Sequence, residues 1–137
     1  MSELHALFHR AATEAADFRA SLDTRPVQAS ADLAEATRAL DVPLPETPRE
    51  PAVVLEELIA AAQPGLMGTP GPRYFGFVIG GALPAASAAD LLAVGWDQCA
   101  FNGHLAPAAA AAEQVAGAWL KDLLGIPASA GVGFVTG

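Results

Sequence analysis

Apolar residues recur at helical spacing from the start of the chain. Leu4, Leu7, Phe8, Ala11, Ala15, Phe18 and Leu22 form one stripe, with Arg10, Glu14, Asp17 and Arg19 mainly off it. Ser2 is placed to cap this helix, and Glu3 lies in its first turn. The helix has to stop before Arg25-Pro26-Val27, because a residue preceding proline avoids the α region. A shorter helix is predicted over residues 30–40, with Leu33, Ala36, Thr37 and Leu40 on one side. Pro43, Pro45, Pro48 and Pro51 make 41–51 a stiff connector. Pro51 also suits the first turn of a third helix, whose stripe is Val54, Leu55, Leu58, Ile59 and Ala62 and which Gln63-Pro64-Gly65 ends.

Beyond the loop Gly68-Thr69-Pro70-Gly71-Pro72 the pattern changes. Tyr74 to Val78 reads as a short strand or extended segment that reaches the glycine pair Gly80-Gly81. A nearly uncharged helix follows, from Leu83-Pro84 to Gln98, and its lack of a polar face calls for burial on all sides. Pro107 starts a last helix, in which Val115, Trp119, Leu120, Leu123 and Leu124 should face a core. Gly125 and Pro127 end it. Val132 to Thr136 reads as a terminal strand entering a glycine-rich turn.

The 137 residues amount to one domain, and alanine is the commonest residue. Apolar character is concentrated in segments with few charges, chiefly 82–96 and 105–120. A small domain has too much surface to hide all of it, so part of that surface should meet a partner or further chain. The net charge is −8, with only 7 Lys and Arg, and these are scattered. Nucleic-acid binding and polybasic membrane attachment both need a basic face and are disfavoured. The single Cys99 excludes an internal disulfide and is compatible with a reducing cytoplasm. No stretch reads as a signal peptide or as a membrane-spanning helix.

Candidate chemistry is sparse. His5 and His9, one helical turn apart, could present two metal ligands, but no third ligand accompanies them and a solvated helix face explains them better. Cys99 and His104 could be a nucleophile and base, but their spacing specifies no geometry and a buried, inert thiol is the simpler reading. Gly80-Gly81 lacks the spacing of a phosphate-binding fingerprint; it is either a tight turn or a point of ligand contact. Lys121, the only lysine, lies opposite the apolar stripe of its helix and beside Asp122, where solvation rules out a Schiff-base role. Tyr74, Phe75, Phe77, Trp96 and Phe101 are either core or the wall of a pocket for a flat or apolar group.

The order of these pieces resembles the pyridoxal-phosphate-dependent group II amino acid decarboxylases, the family of the aromatic amino acid and glutamate decarboxylases. The resemblance is carried by Pro72-Arg73-Tyr74-Phe75-Gly76-Phe77-Val78-Ile79-Gly80-Gly81, Leu83-Pro84-Ala85, Ala89-Asp90 and Trp96-Asp97-Gln98. It continues through Ala106-Pro107-Ala108, Glu113-Gln114-Val115 and Trp119 to Pro127. Arg25-Pro26-Val27 and the helix at 51–63 stand where the family has corresponding segments.

The resemblance implies the N-terminal, mostly α-helical portion of a fold type I (aspartate aminotransferase-like) α/β enzyme, ending at the first strand of the large domain. Residues 1–71 would be a helical dimerisation segment wrapping over a partner subunit, and 72–137 the incomplete start of the cofactor domain. By matching position, Phe77, Val78, Ile79 and Gly80 would line the substrate side chain, while Cys99 and Phe101 would reach the other subunit's pocket. Thr136 and Gly137 would lead into the loop for the cofactor phosphate. Ala106 stands where many members have serine, and Cys99 where bacterial relatives have Asn; both bear on substrate preference rather than fold.

The family's ring-stacking His, its pyridine-pairing Asp and its Schiff-base Lys come later than residue 137, so no catalytic residue is expected in this chain. It should be inactive alone. The complete enzyme would be a cytoplasmic homodimer that uses pyridoxal 5′-phosphate to remove CO2 from an amino acid. Two other readings stand beside this one: an aminotransferase-like or lyase relative of the same fold, and a non-catalytic helical dimerisation module.

Overall fold

The computed structural model describes residues 2–99 and 101–135. They contain five α-helices: α1 (Glu3–Ala20), α2 (Leu33–Leu40), α3 (Pro51–Ala62), α4 (Pro84–Trp96) and α5 (Pro107–Leu124), with a single 3-10 turn at Gln63–Gly65. The chain divides into two compact units, Met1–Ser87 and Ala88–Gly137. The glycine-rich loop and the start of α4 therefore pack with the first unit, beyond the change of role that the sequence places at 71–72.

In the first unit Ser2 caps α1, its hydroxyl accepting from the His5 amide. α2 starts at a capping box: the Asp32 side chain accepts from the Glu35 amide, and the Glu35 side chain accepts from the Asp32 amide. α1 packs on α3, and α2 packs on α3 and on the 3-10 turn. Of the stripe expected on α3, Leu55, Ile59 and Ala62 are half-buried, whereas Val54 and Leu58 stay exposed. The α1–α3 contact is partly polar. Arg10 Nε and Nη2 donate to the two Glu56 carboxylate oxygens at 2.6 and 3.1 Å, and Arg10 Nη1 donates to Glu14 at 2.9 Å. Gln63 Nε2 donates to the other Glu14 oxygen at 2.5 Å. The lead into α2 is tied to the end of α3, since the Ser30 and Ala31 amides both donate to the Pro64 carbonyl at 2.9 Å.

In the second unit α5 ends as expected. Gly125 takes a left-handed φ of 66°, and the amides of Gly125 and Ile126 donate back to Asp122 and Lys121 in a Schellman arrangement. At its other end Ala106 provides no side-chain cap, although its own side chain is among the best buried at 1% exposure. The segment after α5 folds back over the helix, with Val132 packed on Gly117.

Several expectations are corrected. Among the described residues there is no strand. Residues 76–78 form a turn, and 132–135 run without a paired neighbour; Thr136 lies outside the described residues. A strand needs a ladder partner, and none is present here. The apolar stripe of α5 does not face a core: Val115, Trp119, Leu120, Leu123 and Leu124 are all exposed. The returning segment covers the small-residue face instead, at Ala116, Gly117 and Lys121. α4 is exposed along its length, apart from a half-buried Ser87, and it ends at Trp96, where Asp97 turns left-handed with φ 48°. Leu22, at 7% exposure, and Ala106 are the buried apolar side chains among the described residues.

Candidate functional site

Phe77, Val78, Ile79 and Gly80 sit together in the loop between Gly68 and α4, within the first unit. The Ile79 amide donates to the Gly76 carbonyl at 3.2 Å and closes a turn there. Both central residues have positive φ, 54° for Phe77 and 55° for Val78. Positive φ at both central positions is the mark of a type I′ turn, which normally takes Asn and Gly. A β-branched residue such as Val78 is a true outlier in this region. Residues held this way cost of order 1–3 kcal/mol each and cluster at functional sites.

The turn pushes its side chains outward. Phe75 is 93% and Phe77 91% exposed, so the aromatic run is not core, and only Tyr74 is half-buried. The flanks of the loop are drawn onto α1 and the turn that follows it. Arg73 donates to the Arg25 carbonyl, and Arg25 stacks over the Phe18 ring at 4.2 Å from its centroid. Farther along, Arg19 Nη2 donates to the Ala82 carbonyl at 2.5 Å.

Cys99 and Phe101 belong to the second unit and share the connection from α4 to α5. Both are exposed, which corrects the expectation of a buried thiol. No hydrogen bond joins Cys99 to His104 among the described residues. Instead the Asn102 side chain accepts from the His104 amide at 2.8 Å and shapes the turn before α5.

Lys121 is half-buried rather than solvated. Its ammonium donates to the Ala128 carbonyl at 2.8 Å and to that of Ala130 at 3.1 Å. It lies in a cleft of about 250 Å³ with Glu113, Gln114, Gly117, Ala118, Val132 and Phe134. An amine turned into two carbonyls is held as a donor, not as a nucleophile. Sequence reasoning missed this carbonyl-capping role, which depends on the fold-back of 126–135. His5 is engaged by the Ser2 hydroxyl at 2.6 Å, and no group of His, Cys, Asp and Glu suited to a metal occurs among the described residues. Thr136 and Gly137, expected at the edge of a phosphate loop, lie outside the described residues.

Two charged clusters are set by hydrogen bonding. The Glu14 carboxyl is held below its usual range by the Arg10 guanidinium first and the Gln63 amide second. Glu57 is lowered in the same direction by Arg49, which donates to it at 2.5 and 2.6 Å. Both lie on helical surfaces remote in sequence from the aromatic loop and fasten elements rather than perform chemistry. No helix of the described residues is long and apolar enough to cross a membrane.

Comparison with known proteins finds similarity to plant enzymes. The chain is 26% identical over 114 residues to phenylacetaldehyde synthase of a Rosa hybrid cultivar and to tyrosine/DOPA decarboxylase 1 of Papaver somniferum, in each case over 83% of this chain and 22% of the relative. It is 26% identical over 127 residues to tryptophan decarboxylase 1 of Oryza sativa subsp. japonica, over 93% of this chain and 25% of the relative. The chain thus spans about a quarter of the length of the curated relatives it matches. No protein-family profile and no solved structure matches. The chain is similar, at low identity and over a small part of their length, to aromatic amino acid decarboxylases.

Proposed function

We propose that this chain is the N-terminal portion of a pyridoxal-phosphate-dependent amino acid decarboxylase of fold type I, and that it does not decarboxylate alone. In the complete enzyme it contributes dimer contacts and one wall of the substrate pocket, formed by Phe77, Val78, Ile79 and Gly80 with Cys99 and Phe101. The observation that carries this reading is the run of similarity to decarboxylases over most of the chain, at 26% identity. The exposed stripe on α5 and the outward aromatic loop support it, because both are surfaces prepared for more protein or for an apolar ligand.

The described residues do not make a site for the cofactor. Lys121 is committed to two backbone carbonyls, and no other lysine exists in the chain. In the complete enzyme pyridoxal phosphate would supply the electron sink for loss of CO2. No chemical step is assigned to this chain.

A second reading draws on a different observation. One similar protein is a phenylacetaldehyde synthase by name, so the complete enzyme could differ from a simple decarboxylase in its product. One assay tests both readings. The reading frame extended past Gly137 is expressed, supplied with the cofactor and given aromatic amino acids, and CO2, amine and aldehyde are all measured. CO2 with amine supports the decarboxylase, and CO2 with aldehyde supports the second reading. No CO2 from any amino acid refutes both.

A further inference from the structure

The turn at Gly76–Ile79 is held in a conformation that Phe77 and Val78 would not choose. Such a turn persists only where its surroundings fix it. Here the two flanks are fixed to α1 and to the turn that directly follows it. On the leading side Arg73 donates to the Arg25 carbonyl. Arg25 is itself held by the Phe18 ring and by the Ser21 hydroxyl, to which its Nη1 donates at 3.3 Å. On the trailing side Arg19 Nη2 donates to the Ala82 carbonyl at 2.5 Å. Next to it, Gly81 lies so close to the Pro70 carbonyl that a Cβ would stand 2.9 Å from its oxygen. The loop is thus clasped at one end to the turn after α1 and at the other to Arg19 of α1, and the strained tip between the clasps projects outward.

We propose that Arg19 and Arg73 are positioning residues that clasp the 73–82 loop to the end of α1 and the turn after it, and hold Phe77, Val78 and Ile79 outward as a preformed apolar wall for an aromatic substrate side chain. The clasp itself rests on geometry within the first unit. Its role toward a substrate rests on the decarboxylase reading. Preforming the wall removes an ordering cost from binding, so the effect belongs in substrate affinity rather than in the chemical step. Arginine suits the task because its fork stays charged and can reach a carbonyl from a neighbouring element.

Hydrogen exchange read by mass spectrometry on the chain tests the clasp, with the Ile79 amide as reporter. Arg19→Ala is expected to speed exchange at Ile79 about tenfold while the amides of α1 keep their protection. Arg19→Lys, which keeps a long cationic donor, is expected to restore it. Gly81→Ala reaches the loop from its other side without touching α1 and should give the same acceleration; it decides the matter if Arg19→Ala also loosens α1. Equal exchange at Ile79 in the unsubstituted chain and in both alanine variants overturns the clasp. So does an Ile79 amide that is unprotected from the outset.

In the complete enzyme, Arg19→Ala should raise KM for an aromatic amino acid about tenfold with kcat nearly unchanged, and Arg19→Lys should recover most of it. An unchanged KM overturns the substrate role while leaving the clasp to the exchange data. Absence of CO2 release from any amino acid refutes the decarboxylase reading and the substrate role together, and the exchange result still judges the clasp.

Discussion

Gly125 shows how a single residue sets the path of the second unit. Its left-handed φ of 66° lets the Ile126 amide turn back to the Lys121 carbonyl, and that reversal carries 126–135 over α5. Space around Gly125 is open, so a methyl group would meet no neighbour, only an unfavourable backbone. Gly125→Ala should therefore destabilise the second unit by about 1–2 kcal/mol, the usual cost of a left-handed L-residue. Thermal melting followed by circular dichroism reads this directly; an unchanged midpoint would show that the helix ends some other way. Asp32 plays the matching part in the first unit. It caps α2 reciprocally with Glu35, and Asp32→Ala should cost about 1 kcal/mol. Loss of protection at the Glu35 amide in hydrogen exchange checks it.

At the level of elements, α1 and α3 are joined through Arg10, Glu14, Glu56 and Gln63, and Arg49 fastens Glu57 on α3. Glu14 and Glu57 are both held below the ordinary carboxylate value of 4.5, by Arg10 and by Arg49 respectively. A carboxyl whose pKa is lower folded than unfolded favours the fold when ionised. That contribution is complete above the unfolded value and disappears as pH falls through the folded one. Acidification from neutral pH to about pH 3 should therefore lower the melting midpoint of the first unit. Glu14→Gln and Glu57→Gln should flatten that dependence. Both pairs lie at the surface, with Glu57 exposed and Glu14 half-buried, so the effect should be small and should shrink in high salt. A midpoint that rises on acidification would reverse the assigned sign.

The helices were legible because their signals are local. Ser2, Pro51, Pro107 and Gly125 each mark a boundary by backbone chemistry that needs no partner, and all four stand at helix ends in the structure. The capping box at Asp32 and Glu35 was not read, and the sequence alone placed the helix start at Ser30, three residues before Leu33. What could not be read is what each apolar face meets. The stripe through Val115, Trp119 and Leu123 predicts burial by its pattern, yet the covering segment took the opposite face, where Gly117 admits Val132. The sequence also suggested strands at 74–78 and 132–136, and the described residues form neither, since a strand is defined by a neighbour that a local pattern cannot supply. Phe77 and Val78 carry no glycine or asparagine signal, so the turn they form shows only in the backbone angles. The chain order Arg19, Arg25, Arg73 gave no hint that these residues meet one loop. Candidate pocket residues were found through family resemblance rather than residue chemistry, for they are apolar and their roles depend on what surrounds them.

For the whole molecule, surface is the governing quantity. Each unit carries large apolar side chains on its surface: Phe75, Phe77 and Val78 in the first, and Trp96, Trp119, Leu123 and Leu124 in the second. Such a surface in water drives association. The isolated chain should therefore bind a hydrophobic dye and self-associate with rising concentration in sedimentation. A dye-silent monomer would mean that the apolar faces find cover within the chain.

The most direct test compares hydroxyl-radical footprinting of Trp96 and Trp119 in the isolated chain and in the product of the reading frame extended past Gly137. If more protein covers α4 and the α5 stripe, oxidation of both tryptophans should be fast in the isolated chain and about tenfold slower in the longer product, as expected for side chains moved from solvent into an interface. Equal oxidation in the two preparations would contradict the view that these faces are made to be covered.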